Sequence, residues 1–432
     1  RILAPQPNMK NFFNKIFSNS KNLYLFKNNI KKLSLITPVK KIFEAVSSYS
    51  SESEIRYVGG CLRKILSNEK VDDIDLATNL DPLEVSEVLK KNNIKFYESG
   101  IEHGTITAII DDHKFEITSL REDIFTDGRH AEVKFSKDWK KDSARRDFTI
   151  NSIYADLDGN LFDPHNGKKD IEIGEVRFIG DPEKRIKEDY LRILRYLRFF
   201  LDYSKQPHKE EVIKVIKINV NGISLLSKER LLDELKKLLK SNQLEKLSKD
   251  KFSIDLLLLI FPELKNIKNV INTIKVKKEL FVEFDLMFIL FLMIIDETDN
   301  LEYFLYKYNI SKKEQKRAYA INKFYNEKNV SKSLNEANLN KVLYYDGKQA
   351  VLDILNFKII KANKVDKKLF NLLELYKNKV MPSLPVGADL LMNRYNIPEG
   401  RQLGSMIKLI EEEWVRNNFE ISEKQIDHIV KG

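Results

Sequence analysis

The feature that most constrains this chain is a change of pattern near Gly180. Before it, short β-branched runs are separated by glycine- and proline-containing turns; after it, glycines are rare and Leu, Ile and Lys recur at helical spacing. Alternation with a period of 2 predicts strands, and a period near 3.6 predicts helices. We therefore expect an α+β protein, in which a small mixed α/β head precedes an all-helical neck, body and tail.

The same change of pattern suggests the domain boundaries. At 432 residues the chain is long enough for more than one buried core. We predict four parts in chain order, namely a basic N-terminal arm, a head, a helical neck and a helical body with its tail, over residues 1–34, 35–180, 181–245 and 246–432.

Composition narrows the class of protein. The 74 Lys and Arg residues outnumber the 64 Asp and Glu residues, which favours a polyanionic partner. A single cysteine, Cys61, allows no internal disulfide and indicates a reducing compartment. The longest apolar run, Leu286–Ile295, is too short to span a membrane and predicts a buried core helix. We expect a cytoplasmic protein with no membrane partner; the alternative is an organelle, if lysine-rich residues 10–43 act as a presequence.

Local signals outline the head. "EIRYVGG" and "DDIDLAT" indicate two strands, and "GTITAIIDDHKFEITSL" indicates a hairpin that turns at Asp111 and Asp112. Asp81 and Asp181 each precede a proline and an apolar helical pattern, which predicts an N-cap followed by Pro in the first turn.

Acidic residues in the second strand suggest chemistry. Asp73 and Asp75 are two apart and should project to the same side of the strand. Two such carboxylates suit either a solvated turn or a hard cation such as Mg²⁺. Glu116, in the apolar strand "KFEITSL", is a third candidate, and a solvated strand face explains it equally well.

A glycine pair precedes these carboxylates. Backbone N–H groups of a Gly59-Gly60 turn can bind phosphate oxygens, and Arg63 can act as a charged clamp. A glycine pair alone is a weak signal, but the combination of the pair, the arginine and the spaced carboxylates is much more specific.

At this point the sequence resembles the class II tRNA nucleotidyltransferases, which are the CCA-adding enzymes of the polymerase β superfamily. Within that family, the sequence most resembles the alphaproteobacterial and mitochondrial branch. The motifs that carry the resemblance occur in the family's order, at residues 57–78, 116–133, 145–153, 163–171, 188–199, 227–235 and, more loosely, 386–414.

The resemblance implies a polymerase-β-like nucleotidyltransferase head with a two-metal site. It makes Asp73 and Asp75 the Mg²⁺ ligands and places them with Glu116 as the catalytic residues. In "RRDFTINSI" it assigns a phosphate contact to Arg146 and a ribose contact to Asp147. Lys64 departs from the family, in which most members have Asp after the motif arginine.

A further implication concerns choice of base. We expect one helix from Asp181 to carry four charged residues at intervals of three: Asp189, Arg192, Arg195 and Arg198. Asp189 and Arg192 are then neighbours on that helix, either as an exposed ion pair or as a hydrogen-bonding edge. Such an edge accepts from an amino group and donates to a ring nitrogen, so it fits cytosine and adenine and mispairs with uracil and guanine. Arg195 and Arg198 then face the triphosphate or brace the pocket.

The expected activity is addition of CCA to tRNA 3′ ends from CTP and ATP, with release of pyrophosphate. "REDIFTDGRHAEV" (121–133) resembles the full-length element of relatives that add the terminal A as well as CC. The alternatives are a poly(A) polymerase of the same family and an inactive RNA-binding protein. No obligate protein partner is evident from the sequence.

Overall fold

The computed structural model describes residues 24–126, 131–326, 334–362 and 366–431. The chain divides into two compact units, Arg1–Gln243 and Leu244–Gly432. The first unit contains every strand of the described residues. The second contains helices only, within the same ranges. The predicted order, a mixed head followed by a helical part, is confirmed.

A seven-stranded sheet forms the centre of the first unit, with strand order β3-β4-β5-β2-β1-β8-β9. Strands β2 and β5 pair in parallel, and the other pairs are antiparallel. These strands are β1 Ile55–Val58, β2 Ile74–Thr78, β3 Lys95–Gly100, β4 Thr105–Ile110, β5 His113–Ser119, β8 Tyr154–Ala155 and β9 Leu161–Phe162.

A separate hairpin lies between β5 and β8 in the chain. Its strands are β6 Arg121–Thr126 and β7 Ala131–Phe135, which pair antiparallel. Residues 127–130 lie outside the described residues. They belong to the segment 121–133, which resembles the element of relatives that add the terminal A.

Ten α-helices of the described residues belong to the first unit. They are α1 24–36, α2 Val39–Ser47, α3 Gly60–Leu66, α4 Pro82–Lys91, α5 Trp139–Ala144, α6 Gly167–Ile173, α7 Pro182–Glu188, α8 Arg192–Tyr203, α9 Glu210–Asn219 and α10 Lys228–Leu239.

The turns and caps of this unit follow the sequence signals. Asp111 and Asp112 both have positive φ, as a tight hairpin turn requires. Asp81 caps α4 in a reciprocal capping box with Glu84, and Asp181 accepts from the backbone N–H of Lys184 at the start of α7.

Alternation along the strands separates the core from the site. On one face of the sheet, Tyr57 packs against Phe43 of α2. On the other face, Val58 and Ala77 pack with Trp139 and Tyr154 in a small apolar cluster. The odd-numbered positions of β2, Asp75 and Ala77, therefore face this second cluster.

The prediction of one continuous helix from Asp181 is wrong. Helix α7 ends at Glu188, and α8 begins at Arg192. Asp189 has φ −154° and ψ 105°, which is extended backbone, and its own carboxylate accepts from the N–H of Leu191. An aspartate that bonds to nearby backbone N–H groups competes with the helix for them, and this accounts for the break.

The described residues of the second unit contain twelve α-helices. They are α11 Lys251–Ile260, α12 Ile267–Val276, α13 Lys278–Phe281, α14 Leu286–Ile294, α15 Asn300–Lys307, α16 Lys312–Asn326, α17 Glu336–Asp346, α18 Lys348–Lys361, α19 Lys367–Asn378, α20 Ala388–Tyr395, α21 Arg401–Arg416 and α22 Glu423–Lys431.

Helix α14 covers most of the long apolar run of the sequence. Its residues Phe288–Ile294 are all buried, so the prediction of a core helix is confirmed. Among the described residues, no helix has both the length and the apolar character needed to cross a membrane.

Candidate active site

The predicted carboxylates meet on two neighbouring strands. In the parallel pairing of β2 with β5, Asp75 lies directly opposite Glu116. Asp73 immediately precedes β2, on the same side as Asp75. Glu116 is exposed although the residues on either side of it, Phe115 and Ile117, are buried. The sheet therefore brings together three acidic side chains from segments about forty residues apart.

The charges of this group are not balanced by bonded partners. Across the described segments, Asp73, Asp75 and Glu116 have no side-chain hydrogen bond and no ion pair. Burial raises the pKa of Asp75, and repulsion from Glu116 and Asp73 raises it further. Arg146 and Arg63 oppose this rise but do not cancel it. The arrangement favours an added positive charge.

The donor set fits a hard divalent cation, since three carboxylates offer only oxygen ligands. In the part of the chain that the structure describes, no three His, Cys, Asp or Glu side chains are gathered closely enough to hold a metal ion. Mutual repulsion keeps like charges apart when no cation lies between them. The three residues therefore have the donor chemistry of hard-cation ligands, although their side chains are not gathered around one point in this structure.

The glycine pair lies against these carboxylates. Gly59 has φ +69° and precedes α3, which Gly60 opens. A Cβ built on Gly60 would stand 3.7 Å from Oδ2 of Asp75, and one on Gly59 would stand 3.9 Å from the same atom. The positive φ of Gly59 favours glycine, and both glycines place the turn within van der Waals reach of Asp75.

Arg146 directs one nitrogen toward this turn. Its Nε donates to the Tyr154 hydroxyl at 2.9 Å and to Asp142 at 3.3 Å, and its Nη2 donates to Asp142 at 3.2 Å. Its Nη1 would lie 3.9 Å from a Cβ on Gly59. The guanidinium is therefore fixed at one side and free to bind an anion at the other.

Asp142 is the anchor for that arginine. Its side chain is 1% exposed, and burial alone would raise its pKa. The Arg146 and Arg145 guanidiniums outweigh burial and lower the pKa to about 2. Asp142 therefore remains ionised at neutral pH and holds Arg146 in place.

Arg63 is buried rather than open to solvent. It donates to the side-chain oxygen of Asn151, and its guanidinium lies 4.7 Å from the ring centre of Phe199 and 5.0 Å from that of Tyr203. Its Nη2 would lie 3.8 Å from a Cβ on Gly60. Its predicted phosphate contact stays a prediction.

Asp147 is fully engaged by protein groups. Oδ2 accepts from Arg195 at 2.7 and 2.5 Å, and Oδ1 accepts from Asn151 at 2.9 Å and from the N–H of Phe148 at 2.8 Å. Burial raises its pKa, but Arg195 and these hydrogen bonds outweigh burial and hold the pKa far below the usual range. The predicted ribose contact of Asp147 stays a prediction.

The break between α7 and α8 falls at the two residues expected to read the base. Asp189 lies outside both helices, so the expectation that one helix carries the pair is wrong. The two residues remain close in the chain's turn, since the N–H of Arg192 donates to the carbonyl of Asp189 at 3.0 Å. Oδ2 of Asp189 accepts from Arg230 of α10 at 2.8 Å. Nη1 of Arg192 donates to Glu188 at 2.6 Å and to the carbonyl of Arg185 at 2.7 Å. Each residue thus has its own partner.

The remaining two arginines of this segment bind buried carboxylates. Arg195 pairs with Asp147, as described, and Arg198 donates to Glu234 at 2.5 Å. Glu234 is 2% exposed. Two alternative roles are predicted for Arg195 and Arg198, facing the triphosphate or bracing the pocket. These contacts favour the second.

Three residues of the site had no assigned role in the sequence analysis: Asp142, Asn151 and Arg230. Asp142 could have been found from its spacing, because it lies three and four residues before Arg145 and Arg146 on a helix. Asn151 and Arg230 lie within the recognised motifs. Asn151 follows its partner Asp147 by four residues, but its contact with Arg63 and the contact of Arg230 with Asp189 join distant segments, for which spacing gives no signal.

The departure at Lys64 has a local explanation. Its Nζ lies 3.0 Å from Oδ2 of Asp72, and this contact lowers the pKa of Asp72. Asp72 is thus paired at the surface, next to Asp73 but outside the carboxylate group.

Comparison with known proteins gives a consistent result. Residues 55–177 match the family model of the poly A polymerase head domain. The mitochondrial CCA tRNA nucleotidyltransferase 1 of Homo sapiens is 46% identical over 197 residues, which are 45% of this chain and 45% of that protein. The CCA-adding enzyme of Lactobacillus johnsonii is 36% identical over 189 residues, 43% of this chain and 46% of that protein.

A solved structure extends the likeness of fold beyond the head. The CCA-adding enzyme of Bacillus stearothermophilus in complex with CTP aligns with a TM-score of 0.67 at 20% identity, over 91% of this chain and 97% of that chain. The chain covers less than half the length of the curated relatives named above in the sequence alignments. The first unit therefore contains a stretch that matches the poly A polymerase head domain, and the chain is similar to CCA-adding enzymes in sequence over less than half of its length.

Proposed function

We propose that this protein adds CCA to the 3′ ends of tRNA, using CTP and ATP and releasing pyrophosphate. The observation that carries the proposal is the pairing of Asp75 with Glu116 across two parallel strands, with Asp73 beside them and an open glycine turn against Asp75. The names of the relatives support tRNA as the acceptor. The structural neighbour that contains CTP supports a nucleoside triphosphate substrate.

Asp73 and Asp75, with Glu116, are the residues that would hold a divalent ion, which we propose to be Mg²⁺. Their oxygen donors suit this ion, and their unbalanced charge favours it. When bound, such ions stabilise the charge on the attacking and leaving oxygens of an in-line displacement.

The reaction is a nucleotidyl transfer. The 3′ oxygen of the tRNA forms a bond to the α-phosphorus, the bond from that phosphorus to the bridging oxygen breaks, and pyrophosphate leaves. The hydroxyl proton passes to solvent. The chain's contribution is to position the reactants, which is the main source of catalysis in this class of reaction.

Phosphate binding falls to the glycine turn and Arg146. The Gly59-Gly60 turn lies beside Asp75, and Nη1 of Arg146 would lie 3.9 Å from a Cβ on Gly59. Asp142 and Tyr154 fix the rest of that guanidinium, so Arg146 is positioned before the nucleotide arrives. Arg63 lies behind the turn and supports it through Asn151.

Base selection falls to Asp189 and Arg192. Both bonds of Arg192 use Nη1, which leaves its Nε and Nη2 donors for a ring nitrogen. Each carboxylate oxygen of Asp189 accepts one bond from the protein and has capacity for another. An amino group of cytosine or adenine can therefore be accepted, whereas the carbonyl of uracil or guanine cannot.

The helical residues after 244 are proposed to bind the tRNA through its backbone and shape, since double-stranded RNA offers little sequence for side chains to read. The excess of basic residues in the whole chain predicts an affinity that falls as salt is raised.

The decisive experiment incubates the full chain with tRNA that lacks CCA, together with CTP, ATP and Mg²⁺, and sequences the 3′ ends. Addition of CCA and no more supports the proposal. Runs of A made from ATP alone would replace it with poly(A) polymerase. An unchanged 3′ end together with tight tRNA binding would indicate an inactive RNA-binding protein.

The compartment is tested separately. The human relative is named as mitochondrial, which favours the organellar alternative over the cytoplasm expected from composition. Microscopy of a fluorescent fusion of the full chain, and of residues 1–43 alone fused to the same fluorescent protein, would separate the two without deleting helices that pack in the first unit. Organellar signal from both fusions supports a presequence, and a diffuse signal from both supports the cytoplasm.

A further inference from the structure

The two faces of strands β3, β4 and β5 differ in exposure. On one face, Ile106, Ala108 and Ile110 of β4 are buried, and α4 packs against β3 and β4. On the other face, side chains of all three strands reach solvent. We call this second set the open face, and its residues, all half-buried or exposed, are Lys95, Tyr97, Thr105, Thr107, Ile109, Lys114, Glu116 and Thr118.

The open face continues the row of residues that contains the carboxylates of the site. Asp75 of β2 pairs with Glu116 of β5, and Glu116 pairs with Thr107 of β4. Thr107 pairs in turn with Tyr97 of β3. Directly paired residues point to the same face, and neighbouring strands are about 4.8 Å apart, so Tyr97 lies about 10 Å from Glu116 along this surface.

Tyr97 presents an aromatic ring on the open face. The residue is 52% exposed, and the pairing of β3 with β4 shifts register directly after it. Such irregularities re-aim side chains next to active sites. An exposed tyrosine ring is a surface on which an unpaired base can stack.

Two lysines lie on the same face. Nζ of Lys95 is 5.7 Å from the ring centre of Tyr97, and Lys114 lies two residues before Glu116 on β5. Within the described residues, neither lysine forms an ion pair. Their charges are therefore available to the phosphates of a polyanion.

The other end of the row is already assigned. The Gly59-Gly60 turn lies beside Asp75, with Arg146 close to it, and the proposed function places the triphosphate there. The RNA hydroxyl that attacks the α-phosphate must reach the same carboxylates from a different direction. The open face provides that direction.

We propose that the open face binds the unpaired 3′ strand of the acceptor RNA, with a base stacked on Tyr97 and backbone phosphates near Lys95 and Lys114. The inference rests on the proposed function, since the 3′ hydroxyl must reach Asp75 and Glu116. Binding of this kind is independent of sequence, because every base has a face that can stack. It also differs from the duplex recognition proposed for the helical residues after 244.

The first test measures equilibrium binding of tRNA that ends in CC, without nucleoside triphosphates, so that no reaction occurs. We expect Tyr97→Ala to weaken binding by about 10-fold, as loss of one stacked base does. Tyr97→Phe keeps the ring and should bind like wild type. Tyr49→Ala is the matched control, because Tyr49 is an exposed tyrosine outside the open face, and it should leave the affinity unchanged.

The second test measures how the affinity for the same tRNA falls with salt. Lys95→Ala and Lys114→Ala should each reduce the slope of log affinity against log salt by about 0.7, the value for one phosphate of a single strand. Lys90→Ala removes an exposed lysine from α4, outside the open face, and should leave the slope unchanged.

Steady-state kinetics separates the RNA strand from the nucleotide. Tyr97→Ala should raise the KM for tRNA and leave the KM for CTP unchanged. A raised KM for CTP with wild-type RNA affinity would overturn the proposal, because the open face would then belong to the nucleotide site.

Thermal melting reports whether each variant is folded. A folded Tyr97→Ala with wild-type RNA affinity would overturn the proposal. If Tyr97→Ala fails to fold, unchanged salt slopes in the two folded lysine variants would overturn it instead. A wild-type protein that adds no CCA, while Tyr97→Ala still weakens RNA binding, would refute the proposed function and leave the RNA surface in place.

Discussion

Two groups of charged residues in the first unit differ in one respect. On β2 and β5, Asp73, Asp75 and Glu116 repel one another, and their side chains have no hydrogen-bond or ion-pair partner in the described residues. Around α7 and α8, four acidic residues are each matched with an arginine: Asp147 with Arg195, Asp189 with Arg230, Glu188 with Arg192 and Glu234 with Arg198.

The difference indicates different tasks. A group of like charges is stabilised when a counter-ion binds, so the folded protein is less stable when no ion lies between these carboxylates. A matched set needs no ligand and holds its side chains in position beforehand, which reduces the reorganisation required on binding. The first arrangement suits chemistry at phosphorus, and the second suits recognition of a base.

The largest expected effect is on catalysis. Asp75→Asn should reduce nucleotide addition by about 1000-fold or more, since several kcal/mol of transition-state stabilisation depend on ion binding. Removing a repelled charge should leave the melting temperature unchanged or raise it. Single-turnover kinetics and thermal melting check both parts.

Asp72→Asn is the matched control for Asp75→Asn. Asp72 is an exposed carboxylate three residues away that pairs with Lys64. The Asp72→Asn variant should retain near wild-type nucleotide addition. Near wild-type turnover by Asp75→Asn would refute its role as a ligand.

The second effect is on stability. Asp147→Ala should lower the free energy of unfolding by about 3–5 kcal/mol, because it leaves the guanidinium of Arg195 and the amide of Asn151 without their buried partner. Denaturant unfolding measures it. Glu183→Ala, which breaks the exposed pair with Lys187, should cause no measurable change. Equal losses in the two variants would remove the distinction between matched core pairs and surface pairs.

The third effect depends on pH and has opposite signs for Asp75 and for Asp142, a carboxylate of α5 that is also matched with arginines. The pKa of Asp142 is lowered to about 2, so its contribution is present above the ordinary value near 3.8 and is lost as the pH falls toward 2. That contribution is about 2 kcal/mol. The pKa of Asp75 is raised, so protonation is easier in the folded protein and acid relieves a penalty.

Unfolding free energies of wild type, Asp142→Asn and Asp75→Asn between pH 6 and 2 test these signs. The difference between wild type and Asp142→Asn should shrink on acidification. Without divalent ions, Asp75→Asn should be the more stable protein at neutral pH, and its advantage should diminish in acid. If the unfolding free energies of the three proteins changed with pH in parallel, the directions given for both pKa shifts would be wrong.

The smallest expected effect concerns Lys64. Lys64→Ala removes the exposed pair with Asp72 and should change kcat/KM by less than about threefold, with no shift in melting temperature, because exposed ion pairs contribute little. A large loss of activity would show that the charge beyond the carboxylate group is part of the site.

The strands and turns of the head could be predicted because their determinants are local. Alternation places Asp75 and Ile74 on opposite faces, and Asp111 with Asp112 forms the predicted turn. The end of α7 could not be predicted in this way. Spacing places Asp189 and Arg192 on one helix, but the bond from Arg230 comes from a segment far along the chain. The contact between Asp147 and Arg195 could not be predicted from spacing either, because the two residues are 48 positions apart.

The parallel pairing of β2 with β5 also has a consequence for folding kinetics. Asp75 and Glu116 belong to strands separated by α4, β3 and β4, so they meet only after a long crossover closes. Closing a long loop before its contacts form is slow. The local β4–β5 hairpin and the helices can form earlier. In a refolding experiment, helical signal should therefore recover well before the capacity to bind a divalent ion.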